Sequence, residues 1–145
     1  MLVAVTNRDL SNIQGAKIWV VDDESGLVDA IELLVLDAGF AFKGFTNPVI
    51  ALAALADDTP DIFIIDLNMP QMSGVELIQK LRALPNTADT PVLVLTAMTS
   101  EGALINAYKA GADDVVRKPF GIAELLARIN WQLNRSIQVA RLRQQ

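Results

Sequence analysis

Five short apolar runs punctuate the chain, and each is followed by a stretch with helical spacing. KIWVVD, DIFIID and the run from Pro91 to Leu95 are mostly apolar, DDVVRK carries a Val pair between charged ends, and AFKGF is short and less apolar. Continuous Val/Ile/Leu runs are what parallel strands buried on both faces require. The first helical stretch, Ser25 to Ala38, places Leu27, Ile31, Leu34 and Ala38 on one stripe, and Gly39 supplies a stop. Pro48 to Ala56 is rich in Ala and Leu, with Asn47 as N-cap and Pro48 at the first helical position. Gly74 breaks the next loop, and Val75 to Leu84 turns Val75, Leu77, Ile78 and Leu81 inward. Ser100 to Ala110 is a helix closed by Gly111, and the last helix begins at Gly121. Five β–α pairs of this kind predict an α/β fold, a doubly wound parallel sheet with five helices and AFKGF at an edge.

The two ends read differently from the middle. Residues 1–16, a short apolar start followed by a mostly polar stretch, are unpatterned and are expected to form a loosely held N-terminal extension to a domain spanning 17–134. In the last helix, Ile122, Leu126, Ile129 and Leu133 are expected to pack on the sheet. RSIQVARLRQQ then carries the helix on without Gly or Pro. Leu126, Leu133 and Ala140 share one heptad position, and Asn130, Ile137 and Gln144 share another. Residues 135–145 therefore read either as a linker helix toward a partner or further domain, or as a frayed tail with exposed arginines.

Composition narrows the chemistry. The 145 residues suit one domain, and 52% hydrophobic residues supply a full core. A net charge of −5 argues against gripping nucleic acid through the protein's own field. No apolar run approaches the roughly 20 residues that span a bilayer, so no membrane segment is expected. The absence of cysteine fits a reducing cytoplasm. The absence of histidine excludes a Ser-His-Asp triad, a His-ligated metal and a phosphohistidine in this chain. Any phosphohistidine donor must therefore be another protein.

The runs end in chemistry. WVVDD closes on Asp22 and Asp23, IFIID on Asp66, VLVLTA on Thr96 and Ala97, and VVRKPF carries Lys118 ahead of Pro119. Open α/β sheets bind ligands outside the carboxyl ends of their strands. Singly, each residue has an ordinary explanation: a helix cap for the aspartates and Thr96, a strand-end turn for Asp66, a solvated lysine for Lys118. Jointly they form a phosphoryl-acceptor site. Asp66 is the candidate nucleophile. Asp23 and Asp66 would bind Mg2+ (or Mn2+) directly, Asp22 through water, and Asn68 through its backbone carbonyl. Lys118 supplies a positive point charge to a phosphoryl oxygen, Thr96 a hydroxyl donor, and small Ala97 the room.

VVDDE, IIDLNMPQMSG, LTA and KPF, in that order and spacing, resemble the receiver domain of two-component response regulators over about residues 17–134. The resemblance implies a flavodoxin-like strand order of 2-1-3-4-5 and a cis bond between Lys118 and Pro119. It implies that Asp66 accepts a phosphoryl group from a histidine kinase or histidine phosphotransfer protein, and that Mg2+ is required. It places Glu24 and Asn68 beside the path of the hydrolytic water, where they would tune phosphoryl lifetime. One position departs from the pattern: the family commonly carries an aromatic switch residue three positions before the lysine, and here it is Val115. Tyr108 is expected to be a core-facing helix residue and no substitute for it. Signalling would then run through the loop after Thr96 and the surface of the last two β–α elements. Asp113, Asp114, Arg117, Glu124 and Arg128 put both charge signs there, as a homodimer face or an ordinary solvated face would. The unfinished last helix fits a receiver cut from a longer chain.

Two other readings share the site. A haloacid-dehalogenase-type phosphatase also uses a strand-end aspartate nucleophile, but its general acid would fall at Asn68, which cannot serve. A phosphorylation-independent scaffold would not need the intact residue set.

Overall fold

Alternation along the central strands builds the two layers of the core. In the computed structural model, described over residues 13–98 and 100–144, β1 is Lys17–Val21, β2 Ala41–Phe45, β3 Ile62–Ile65, β4 Val92–Thr96 and β5 Asp114–Arg117. The helices are α1 Ser25–Asp37, α2 Pro48–Ala54, α3 Gly74–Ala83, α4 Glu101–Ala110 and α5 Ile122–Gln144. All strand pairs are parallel, in the order β2-β1-β3-β4-β5. The runs buried at every residue, Ile62–Ile65 and Val92–Thr96, lie in the middle, and half-exposed AFKGF takes an edge. Successive side chains point to opposite faces. Ile18, Val20, Ile64 and Leu95 therefore pack under α1 and α5, whereas Trp19, Val21, Phe63 and Val94 pack under α2, α3 and α4.

Helix ends follow local chemistry. Asn47, Ser73 and Ser100 each accept a backbone N–H of the helix they open, and Gly111 closes α4 at φ +119°. Side chains other than glycine rarely adopt that angle. Here a Cβ would also strike the Arg82 side chain.

Four expectations from the sequence need correction. The buried stripe of α1 is Val28, Ile31 and Val35; Leu27, Leu34 and Ala38 only flank it. This helix is apolar on several sides, so spacing alone could not choose the face, and Leu33 and Leu36 are left exposed. In α5 the buried stripe is Leu125, Ile129 and Leu133; Ile122 is 63% exposed and Leu126 half-buried. Tyr108 is not a core residue: Ala107 takes the position against the sheet and Tyr108 points outward, 49% exposed. Finally, of the expected extension, residues 1–12 lie outside the described residues, but Ile13 and Ala16 are buried in the core beside Phe40, and Gly15 N–H donates to the Gly39 carbonyl. The packed body thus begins ahead of Lys17.

The far end of α5 does not stand clear of the domain. Leu133 belongs to the core and Ile137 packs against it, so those heptad positions are used within the chain. Arg135 reaches Asp113 at 3.8 Å and Arg143 reaches Asp89 at 2.7 Å. Asp114 pairs with Arg128 at 2.9 Å, so much of the mixed charge on β5 and α5 is paired within one chain.

Candidate functional site

The parallel sheet brings the carboxyl ends of β1, β3, β4 and β5 to one rim. Asp66 N–H donates to the Val21 carbonyl and Lys118 N–H to the Thr96 carbonyl, which fixes neighbouring strand ends against each other. The residues expected from the sequence meet there. Carboxylate oxygens of Asp22, Asp23 and Asp66 all lie within 4.8 Å of one another. Lys118 Nζ is 2.8 Å from Asp22 Oδ2, 3.3 Å from Glu24 Oε1 and 3.7 Å from Asp66 Oδ2. A cleft of about 300 Å3 opens over them, lined by Asp23, Glu24, Asp66, Asn68, Thr96, Ala97, Met98 and Lys118.

The aspartates differ in environment. Asp22 is buried, and both its oxygens are engaged: Oδ2 by Lys118, Oδ1 by the Glu24 N–H at 2.9 Å. It caps no helix by its side chain, because the N-cap of α1 is Glu24. Asp23 is exposed toward the cleft. Asp66 is 5% exposed. Burial raises its pKa from the ordinary carboxylate value, and the nearby Asp22 charge adds to this; Lys118 and the N–H groups of Asn68 and Leu67 oppose it. For Lys118 burial acts to lower the pKa, but the hydrogen bond and charge of Asp22 and the charge of Asp66 outweigh it, so the net shift is upward. The ammonium stays charged and in place.

This donor set fits a small divalent cation. Three carboxylates face one ammonium, which leaves excess negative charge on hard oxygen donors grouped closely enough for one ion. Asp22 has both oxygens engaged by Lys118 and the Glu24 N–H, whereas Asp23 is exposed to the cleft.

Two further residues shape the site and were not singled out for this from the sequence. Gly74, known there only as a loop breaker, lies against the backbone of Asp66: a Cβ would come within 2.3 Å of the Asp66 carbonyl oxygen. No larger residue fits without displacing Asp66, and Gly74 N–H donates to the Leu67 carbonyl. Met98, at the cleft mouth, donates its N–H to Thr96 Oγ1 at 3.1 Å. Thr96 itself is fully buried.

With this geometry in place, comparison with known proteins is direct. A family model described as the response regulator receiver domain matches residues 18–130. The chain belongs to that family. Among curated relatives, the transcriptional regulatory protein KdpE of Mycobacterium tuberculosis is 36% identical over 127 residues, 88% of this chain and 55% of KdpE. The chain thus spans about half the length of the curated relatives it matches. The receiver domain of the Francisella response regulator 1452 is 30% identical, with a TM-score of 0.76 over 83% of this chain and 98% of that one. A CheY-like receiver from Methanospirillum hungatei, 23% identical with a TM-score of 0.80 over 85% of this chain and 97% of that one, shares the fold. The observed strand order is the one the resemblance implied, and the bond between Lys118 and Pro119 in this receiver is cis. Val115 is half-buried and packs with the α2–α4 layer, so no ring occupies the aromatic switch position.

Proposed function

We propose that this receiver accepts a phosphoryl group on Asp66 from a phosphohistidine of a histidine kinase or phosphotransfer protein, and that the change alters a partner or linked output domain. One observation carries the reading: three carboxylates, a buried hydroxyl and a paired ammonium surround a single open cleft. In the transfer, an Asp66 oxygen forms a bond to phosphorus, the phosphorus–nitrogen bond to the donor imidazole breaks, and the imidazole keeps the electron pair and takes a proton. Asp23 and Asp66, with the Asn68 carbonyl, would hold Mg2+ or Mn2+, and Asp22 would act through water. The cation supplies charge neutralisation at the phosphoryl oxygens. Lys118 donates to one phosphoryl oxygen and Thr96 to another. Asn68 and Glu24 border the approach of water and tune lifetime. Water hydrolyses the aspartyl phosphate to restore the carboxylate and release inorganic phosphate, so the protein signals and turns over only its own phosphoryl group. We place it in the cytoplasm, where its donor proteins present phosphohistidine.

With Val115 in the switch position, Thr96 is the element that moves. Its Oγ1 accepts from Met98 N–H, and its O–H remains to donate to the phosphoryl group, so displacement of Thr96 carries Met98 and the start of α4 with it. Ile105 and Tyr108 on α4 and Ile122 on α5 expose apolar surface nearby, which supports this side as the face offered to an output partner or a second copy.

Metal dependence tests the reading. Phosphoryl gain from a phosphohistidine donor is expected to vanish on chelation and to return with added Mg2+ or Mn2+. Undiminished gain in excess chelator would remove the assigned role of the three aspartates.

A further inference from the structure

We propose that Glu24 is a positioning residue that restrains Lys118, so that loading of Asp66 draws the ammonium out of its pair with Glu24. The inference rests on the phosphoacceptor reading above and assigns a cause of loading rate within it. An ammonium has three protons. In this structure Lys118 faces three carboxylates, Asp22 at 2.8 Å, Glu24 at 3.3 Å and Asp66 at 3.7 Å. Only the Asp22 and Glu24 contacts are hydrogen bonds; Asp66 is at ion-pair distance, so a phosphoryl oxygen arriving there draws the ammonium toward Asp66 and away from Glu24.

The three are not equally held. The Asp22 side chain is 2% exposed and its second oxygen is fixed by the Glu24 N–H. Asp66 is fixed at the end of β3. The Glu24 side chain is 64% exposed, and among the described residues its carboxylate pairs with Lys118 alone. Glu24 also stands at the N-cap of α1, yet its side chain accepts no N–H of that helix. A capping position is usually filled by a short side chain that bonds back to the helix. Here a longer one reaches across 94 residues of sequence to Lys118. Glu24 is therefore the partner able to swing into solvent, and its charge lines the cleft through which a dianionic donor arrives.

Loading by acetyl phosphate gives a clean readout. An Asp66 oxygen bonds to phosphorus, the bond from phosphorus to the acetyl oxygen breaks, and acetate leaves with the electron pair while Lys118 donates to a phosphoryl oxygen. An ion pair with one exposed partner shifts an equilibrium by about two- to fivefold. Glu24→Gln, which keeps the size and removes the charge, is expected to speed loading at saturating Mg2+ by about that factor. In a Lys118→Met background the same substitution is expected to change nothing, because the residue it restrains is gone. Glu24→Asp, which keeps the charge but shortens the reach, is expected to speed loading as Glu24→Gln does. No acceleration by Glu24→Gln, equal acceleration in both backgrounds, or a native rate in Glu24→Asp would each overturn the inference, the last two by showing a general field at the cleft mouth. If the native chain itself gained no phosphoryl group, the phosphoacceptor reading would fall; if it loads and only the Glu24 variants fail to respond, the restraint alone is wrong.

Discussion

Lys118→Met is expected to slow phosphoryl loading of Asp66 about 100-fold, the scale seen when one donor to a developing anion is removed. Among the described residues, the lysine is the only cation in contact with the acidic group: it lies 2.8 Å from Asp22 and 3.7 Å from Asp66, and it is mostly buried. Methionine is unbranched, one atom shorter and apolar, so the cleft keeps most of its shape and loses its charge. A second effect has the opposite sign. Removing one positive charge from among three carboxylates raises the affinity of the site for Mg2+. Slow loading with tighter Mg2+ binding is the combined signature; titration of Mg2+ in the absence of donor separates the two. Loading near the native rate would show that the ammonium does not meet the phosphoryl group.

Arg82→Ala is expected to destabilise the fold by about 3 kcal/mol, against a typical loss near 1 kcal/mol for a point substitution. Arg82 is on α3, away from the cleft. Its guanidinium donates to the carbonyls of Thr87, Ala88, Thr90 and Gly111 and to Asp113 Oδ2. Asp113 Oδ2 in turn accepts the Val92 N–H at 2.8 Å. One side chain thus ties the loop into β4 to the loop into β5, the two strands that deliver Thr96 and Lys118. Its loss leaves several half-buried carbonyls without their donor. In a protein of this size the loss corresponds to a fall in Tm of about 10 °C, readable by calorimetry. Arg82→Lys should recover little of it, because an ammonium cannot span the same fork of acceptors. A change in Tm within the scatter of ordinary surface substitutions would mean that water replaces the guanidinium without cost.

Which parts of this account were legible in the sequence follows from how local each signal is. Ile62–Ile65 is apolar at every position and had one place to go, the middle of the sheet. Asp66, Thr96 and Lys118 end such runs, so their meeting at one rim followed from parallel strands alone. The buried face of α1 was not legible, because Leu and Val occupy several sides of the helix and only its packing on the sheet chooses Val28 and Val35. Ile13 is flanked by Leu10 and Ala16 in a short, mostly polar stretch, too few apolar positions to establish a period. Tyr108 looked like core by type, yet Ala107 is the residue of α4 that is buried, and its neighbour Tyr108 faces outward. The work of Arg82 is invisible in sequence because its acceptors are mostly backbone carbonyls, which carry no residue signature. The Glu24–Lys118 contact likewise joins the first β–α turn to the last strand, and only the fold sets their distance.

The most direct test of the central claim is intact-protein mass after incubation with acetyl phosphate and Mg2+, with Asp66→Asn alongside. Asp66 is the strand-end carboxylate that lies within reach of Lys118, faces the cleft and is raised in pKa by burial. Asn keeps its shape and cannot form the acyl phosphate. The account predicts a gain of one phosphoryl group in the native chain and none in Asp66→Asn. An equal gain in both chains would place the acceptor elsewhere, and no gain in the folded, Mg2+-bound native chain, repeated with a phosphohistidine donor, would contradict the assignment of this site as a phosphoacceptor.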